Sequence, residues 1–259
     1  MGSDGTSSVF RGVGVALLTL FDETGAVEVK ATAELANTLV ELGMRGVIVG
    51  GSTAEAATLS GTERAELIRA VRDAIPADIP VVAGTGAPSS RQAIEYTRQA
   101  ADAGASAALV LTPHRVPDPR PYYAKVAEAV PDLPLLAYHF PAAAEPGIRT
   151  DLLPDLPVVG VKDSTGDPDR LLTELASFDG DIYTGSAAVL GYAGPLGCAG
   201  AIVALGNAQP ELCVRAFDGD FAAQRELTEA HLAAKGNFPH GLKALVAQRF
   251  GTPTHARID

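Results

Sequence analysis

Eight short apolar runs, rich in Val, Ile, Leu and Ala, recur along the chain, and a helix-like stretch follows most of them. This alternation limits the possible folds more than any other feature. Short β-branched runs read as buried strands, and apolar residues at three- and four-residue spacing read as helices lying on a sheet. The runs are VGVALLTLF (Val13 to Phe21), RGVIVGGS, IPVVAGTG, SAALVLTP, LPLLAYHF, VVGVKDS, DIYTGS and GAIVALGN. The helical stretches between them are VKATAELANTLVELG, GTERAELIRAVRDAI, SSRQAIEYTRQAADAGA, PYYAKVAEAV and DPDRLLTELAS, with AAVLGYAGPLG after the seventh run. A weak helical signal lies near Thr150 to Leu153. Three more stretches follow the last run: PELCVRAFDG, FAAQRELTEAHLAAK and GLKALVAQRF. Strands that alternate with helices form parallel sheet. Even spacing without a large insertion predicts an α/β fold, a closed (β/α)8 TIM barrel with a short C-terminal helical extension. No linker divides the chain, so residues 1–259 read as one domain, with C-terminal helices from about residue 209.

Composition narrows the function. Hydrophobic residues make up 47% of the 259, enough to fill one such barrel. The formal net charge is −11. Nucleic acids and anionic membranes attract an excess of Lys and Arg, so neither is an expected partner. No apolar run approaches the roughly 20 residues of a membrane span. The N-terminal MGSDGTSS lacks the basic and apolar regions of a signal peptide, and a cytoplasmic protein is expected. Cys198 and Cys213 are too few for a disulfide framework or a Cys-rich metal site, and both sit in apolar contexts. His114, His139, His231, His240 and His255 show no metal-binding spacing such as HExxH. Ser164 and Ser186 have no identifiable His/Asp relay, which argues against a serine hydrolase. No metal and no cofactor are expected.

Active sites of such barrels form at the C-terminal ends of the strands. Strand two ends in GGSTAE (Gly50 to Glu55), strand three in GTG, and strand four in Thr112, Pro113, His114 and Arg115. Strand five ends in Tyr138 and His139, strand six in Lys162, and strand seven in TGS with Ser186. Lys162 follows a valine run, where desolvating a charge is costly. It either reaches solvent and pairs with Asp163, or is a desolvated amine able to attack a ketone and form a Schiff base. GGSTAE is either a strand-to-helix turn capped by Ser52 or Thr53, or a carboxylate cradle of backbone N–H groups and two hydroxyls. No Walker lysine follows it, and GxGxxG spacing is absent. Tyr138 is either a satisfied core tyrosine or a proton shuttle beside an amine nucleophile.

Five motifs in order resemble the dihydrodipicolinate synthase/N-acetylneuraminate lyase family of class I, pyruvate-dependent aldolases. They are GGSTAEAATLS, similar to the family's G-T-T-G-E loop; VVAGTGAPSSRQAIEYTRQAADAGASAALVLTP; YHFP; VVGVKDSTGD; and GCAGAIVALGN. The resemblance implies that Lys162 forms an imine with pyruvate or another 2-keto acid and that Tyr138 shuttles protons. It further implies that Gly51, Ser52 and Thr53 hold the substrate carboxylate, with Ile202 near the bound keto acid. Ser186 and Arg115 are further substrate-binding candidates. A homo-oligomer, dimer or tetramer, is expected.

The sequence also departs from the family. Ala143 stands where the synthase branch carries an arginine, five residues after the tyrosine. His114 and Arg115 replace a tyrosine pair after the strand-four proline, and Val203 replaces a common serine. The region after strand eight is shorter than usual. PAAAEPG looks more like the 2-keto-3-deoxygluconate aldolase branch. The expected activity is therefore aldol cleavage or formation of a 2-keto-3-deoxy sugar acid or similar 2-keto acid. The alternatives are 4-hydroxy-tetrahydrodipicolinate synthase, N-acetylneuraminate lyase, a 2-keto-3-deoxy acid dehydratase, and a non-catalytic relative that binds keto acids.

Overall fold

Each of the eight apolar runs forms a parallel strand. They are β1 (Gly12–Ala16), β2 (Val47–Val49), β3 (Val81–Gly84), β4 (Ala107–Leu111), β5 (Leu135–His139), β6 (Gly160–Asp163), β7 (Asp181–Thr184) and β8 (Gly200–Val203). Each pairs with its neighbours in sequence, and β1 pairs with β8, so the sheet closes into a barrel. The computed structural model describes residues 8–258; Met1 to Ser7, most of the stretch in which no signal peptide is read, lie outside them, as does Asp259.

The outer layer contains α1 (Val29–Glu41), α2 (Gly61–Ala74), α3 (Ser90–Asp102), α4 (Arg120–Ala129), α5 (Pro168–Ser177), α6 (Leu190–Ala193) and α7 (Pro210–Phe217). α8 (Phe221–Glu226), α9 (Thr228–Gly236) and α10 (His240–Phe250) complete the C-terminal region. Local chemistry fixes the helix starts. Ser60 and Glu63 form a reciprocal capping box at α2, and Ser89 and Asp167 cap α3 and α5.

Two apolar layers follow from the period-2 alternation of strand side chains. Val13, Val15, Val47, Val81 and Val110 face outward onto the helices. Ile48, Val82, Leu109, Leu136, Tyr138, Tyr183 and Ile202 point inward. Phe10 plugs the barrel floor. A Cβ on Gly14 would lie 2.7 Å from its ring and one on Gly46 2.9 Å, so both positions exclude a side chain.

Four elements differ from expectation. β1 ends at Ala16 rather than Phe21, because the N–H groups of Leu18 and Leu20 donate to side chains, Asn207 Oδ1 and Thr32 Oγ1. AAVLGYAGPLG yields a 3-10 turn, Ala187–Val189, and the four-residue α6, which ends before Gly194 and Pro195. FAAQRELTEAHLAAK breaks at buried Leu227 into α8 and α9. The signal near Thr150 is a 3-10 segment, Thr150–Asp155, with Pro154 inside it. Asn207 also donates to the carbonyls of Ala16 and Ala204, tying the end of β8 to β1.

Candidate active site

Tyr138 and Lys162 are paired across β5 and β6 and point into the barrel mouth. Lys162 is 5% exposed, and its Nζ lies 4.3 Å from the centre of the Tyr138 ring. That ring stacks on Phe140, with centroids 5.8 Å apart. The lysine stem passes over bare backbone: a Cβ on Gly185 would fall 2.9 Å from Lys162 Cε and 2.0 Å from Ser164 Oγ. Asp163 does not pair with it. As the next residue on the strand, Asp163 faces outward and accepts from the Thr165 N–H at 2.9 Å and hydroxyl at 2.7 Å. Among the described residues no carboxylate comes within 4.0 Å of Lys162 Nζ. The surface ion-pair reading of Lys162 therefore fails on geometry.

GGSTAE turns sharply after β2. Gly50 has φ +67°, Ser52–Ala54 make one 3-10 turn, and Glu55 follows at φ +57°. The N–H groups of Ala54, Glu55 and Ala56 bond within the turn, which leaves those of Ser52 and Thr53 at its start. Thr53 is buried and Ser52 half-buried. Glu55, for which the sequence suggests no role, is fully buried, and its Oε1 lies 2.6 Å from Nζ of equally buried Lys243 in α10.

Behind the mouth, α4 supplies two buried tyrosines. The Tyr123 hydroxyl donates to the Val110 carbonyl at 2.7 Å, accepts from the Tyr138 N–H at 3.3 Å and lies 3.0 Å from Thr112 Oγ1. It thereby holds β4 and β5 in register where Tyr138 projects. Burial pushes its pKa above the ordinary tyrosine value, so it stays a neutral donor. Tyr122 clasps both backbone groups of Ala87 in the strand-three loop.

The outward side of the same strands carries a buried polar cluster. Arg170 lies 2.8 Å from Glu174 and 3.8 Å from Asp163. Burial, reinforced by Asp163, pushes Glu174 up to about 7. His139 Nδ1 accepts from the Ile148 N–H at 2.8 Å, and burial with nearby Arg170 depresses its pKa to about 3. Folded His139 thus stays neutral while the unfolded residue titrates near 6.5. The resulting stability is present above that pH and is lost as pH falls toward 3. His139→Asn keeps an acceptor but removes the titration. Between about pH 7 and 5 the variant should lose about 2 kcal/mol less stability than wild type in urea unfolding; equal losses would reject this.

A cleft of about 590 Å³ opens over the loops after β2 to β5. Ser52, Leu111, Thr112, His114 and Ala143 are in its wall, whereas Lys162 and Tyr138 are not. Leu111 pairs with Tyr138, so the cleft meets the lysine centre there. Arg115 is exposed, at φ +61°, and is not in the wall. Arg64 is, but its guanidinium donates to the carbonyls of Gly50, Gly84 and Ala56. Ile202 is fully buried inside the barrel, whereas Val203 faces the helices. Ser186 Oγ accepts from the Ala188 N–H as a turn cap. Both cysteines are buried, which raises their pKa values. Among the described residues no three His, Cys, Asp or Glu are placed to hold a metal ion, and no helix is long and apolar enough to cross a membrane.

Fold and site together define a (β/α)8 barrel with a shielded lysine at the mouth of its sixth strand. The chain belongs to the dihydrodipicolinate synthetase family, whose sequence profile matches residues 9–249. Enzymes of this family are Schiff-base lyases and synthases. The chain is 38% identical over 229 residues to the 4-hydroxy-tetrahydrodipicolinate synthase of Thioalkalivibrio sulfidiphilus, covering 83% of this chain and 78% of that one. It is 44% identical over 136 residues to the synthase of Synechococcus sp. CC9605, 51% of this chain and only 45% of that protein. Among solved structures, the chloride-inhibited dihydrodipicolinate synthase of Acinetobacter baumannii, complexed with pyruvate, superposes with a TM-score of 0.89 at 29% identity, covering 96% of this chain and 92% of that one. These comparisons support the family and do not single out the 2-keto-3-deoxygluconate aldolase branch.

Proposed function

We propose that this chain is a class I enzyme that joins pyruvate to an aldehyde, or cleaves the product, through an imine on Lys162. The observation that carries the reading is a shielded amine against the Tyr138 ring with no acidic partner. The Lys162 nitrogen would add to the keto carbon, and loss of water would leave a protonated imine. That imine draws electrons from C3, so a C3 proton leaves and the enamine carbon attacks the aldehyde; the reverse breaks C3–C4. The Tyr138 hydroxyl would move the protons. Gly51, Ser52 and Thr53 would hold the carboxylate through N–H groups and hydroxyls, with Ile202 beneath the keto acid. Ser186, just after β7, would be a further substrate contact. The family resemblance adds a cytoplasmic homo-oligomer, dimer or tetramer, to the reading.

Two readings divide over the aldehyde. The name carried by the two synthases compared above supports aspartate semialdehyde, and hence 4-hydroxy-tetrahydrodipicolinate synthase. The cleft supports a neutral hydroxylated aldehyde. Ala143 cannot form the paired hydrogen bonds that arginine makes to a carboxylate, Arg64 is engaged by carbonyls, and Arg115 stands outside. The test is kcat/KM for condensation of pyruvate with glyceraldehyde and with aspartate semialdehyde. The cleft predicts a preference for glyceraldehyde of about tenfold or more. A clear preference for aspartate semialdehyde that Arg115→Ala removes would establish the synthase reading instead.

A further inference from the structure

After α10 the chain returns to the loops that follow β1 and β2, and its last described residues are held by the loop that carries Ser52 and Thr53. Glu55 Oε2 accepts from two successive backbone N–H groups, Arg257 at 2.7 Å and Ile258 at 2.9 Å. Its other oxygen faces Lys243, whose Nζ also donates to the His255 carbonyl at 2.5 Å. Arg257 adds a second grip. It donates to the carbonyls of Gly25 at 2.6 Å and Thr58 at 2.9 Å, meets Glu63 at 2.6 Å, and lies over the Phe21 ring at 4.7 Å. Backbone N–H bonds to a buried carboxylate are charge-assisted and directional. They tie down this segment, although it has no regular structure and Ile258 is 38% exposed. The residue so fixed, Ile258, forms part of the cleft wall with Ser52, His114 and Ala143.

We propose that Ile258 is a specificity-determining residue: the segment held by Glu55 sets its side chain as the outer wall of the subsite for the second substrate, limiting that subsite to a short aldehyde. This rests on the reading that Lys162 binds pyruvate and that the aldehyde enters this cleft. The wall is apolar and attached to the carboxylate-binding turn through Glu55, two residues beyond Thr53. It therefore bounds the partner's far end without touching the keto acid.

The test uses the full chain carrying Ile258→Cys. Cys198 and Cys213 are buried, so a bulky maleimide reaches the new thiol selectively. The labelled protein should lose about tenfold or more in kcat/KM for the aldehyde, while borohydride trapping of pyruvate on Lys162 stays within about twofold. In a second variant, Ile258→Ala, the ratio of kcat/KM for glyceraldehyde to that for a five-carbon sugar aldehyde should fall about tenfold, and Ile258→Leu should restore it. Unchanged condensation after labelling overturns the assignment, as does joint loss of trapping and condensation, which would mean that the segment only supports the fold. Absence of trapping in wild type removes the imine reading itself, and the assignment with it.

Discussion

Lys162→Ala should abolish borohydride trapping of pyruvate and lower kcat for condensation by about 10⁴-fold or more, as expected when a covalent nucleophile is removed. The chain has five lysines. Lys30, Lys125 and Lys235 are exposed. Such amines are strongly hydrated, hence poor nucleophiles. Lys243 is as buried as Lys162 but is held by Glu55 and the His255 carbonyl, so its lone pair is not available. Both buried amines face an aromatic ring, Lys162 that of Tyr138 and Lys243 that of Phe21, but among the described residues only Lys162 has no carboxylate within 4.0 Å. Mass mapping of the reduced adduct in wild type should therefore find one labelled peptide, VVGVKDSTGD. Label on any other lysine, or full condensation by the Ala variant, would refute the assignment.

The second large effect is on stability. Lys243→Met should destabilise the fold by about 3–5 kcal/mol, since it leaves the Glu55 carboxylate buried without its cation. In a barrel of this size that lowers Tm by roughly 6–15 °C. Oε2 keeps its two backbone donors, but Oε1 has none. The double variant Glu55→Gln, Lys243→Met should recover part of the loss, because the uncompensated charge is gone. Measurement is by urea unfolding of the three proteins. A loss below about 1 kcal/mol in Lys243→Met, the range of exposed pairs, would show that the pair is solvated.

These two lysines show what the sequence reveals and what it hides. Lys162 is legible because a charge at the end of a valine strand breaks the pattern that a buried parallel strand requires. Lys243 breaks the pattern of GLKALVAQRF equally, yet a helix turns a polar side chain to solvent every few residues, so the same oddity reads as a surface position. Its partner Glu55 lies at the other end of the chain, and nothing local announces the pairing. The eight strands are legible from β-branched runs. The early end of β1 is not, because it depends on Asn207 and Thr32 competing for the N–H groups of Leu18 and Leu20. Within the site, Tyr138 and Thr53 can be named from the sequence. That Arg115 stands outside the cleft, at a left-handed turn, is visible only once the loop is folded.

Barrel closure has a consequence for how the chain is made. β1 leaves the ribosome first, yet one of its two edges has no partner until β8 follows, roughly 10–40 s later at ordinary synthesis rates. Until then Val13 and Val15 lie on an open edge, the kind of surface that recruits strands from other chains. The long-range β1–β8 pairing is also the slow one to find. Asn207 emerges only a few residues after β8, and its side chain then fastens the seam from both sides through Leu18, Ala16 and Ala204. A nascent chain halted before β8 carries seven strands' worth of sheet with neither the closing partner nor the latch, so the hazard of misassembly is concentrated in translation rather than in the finished protein.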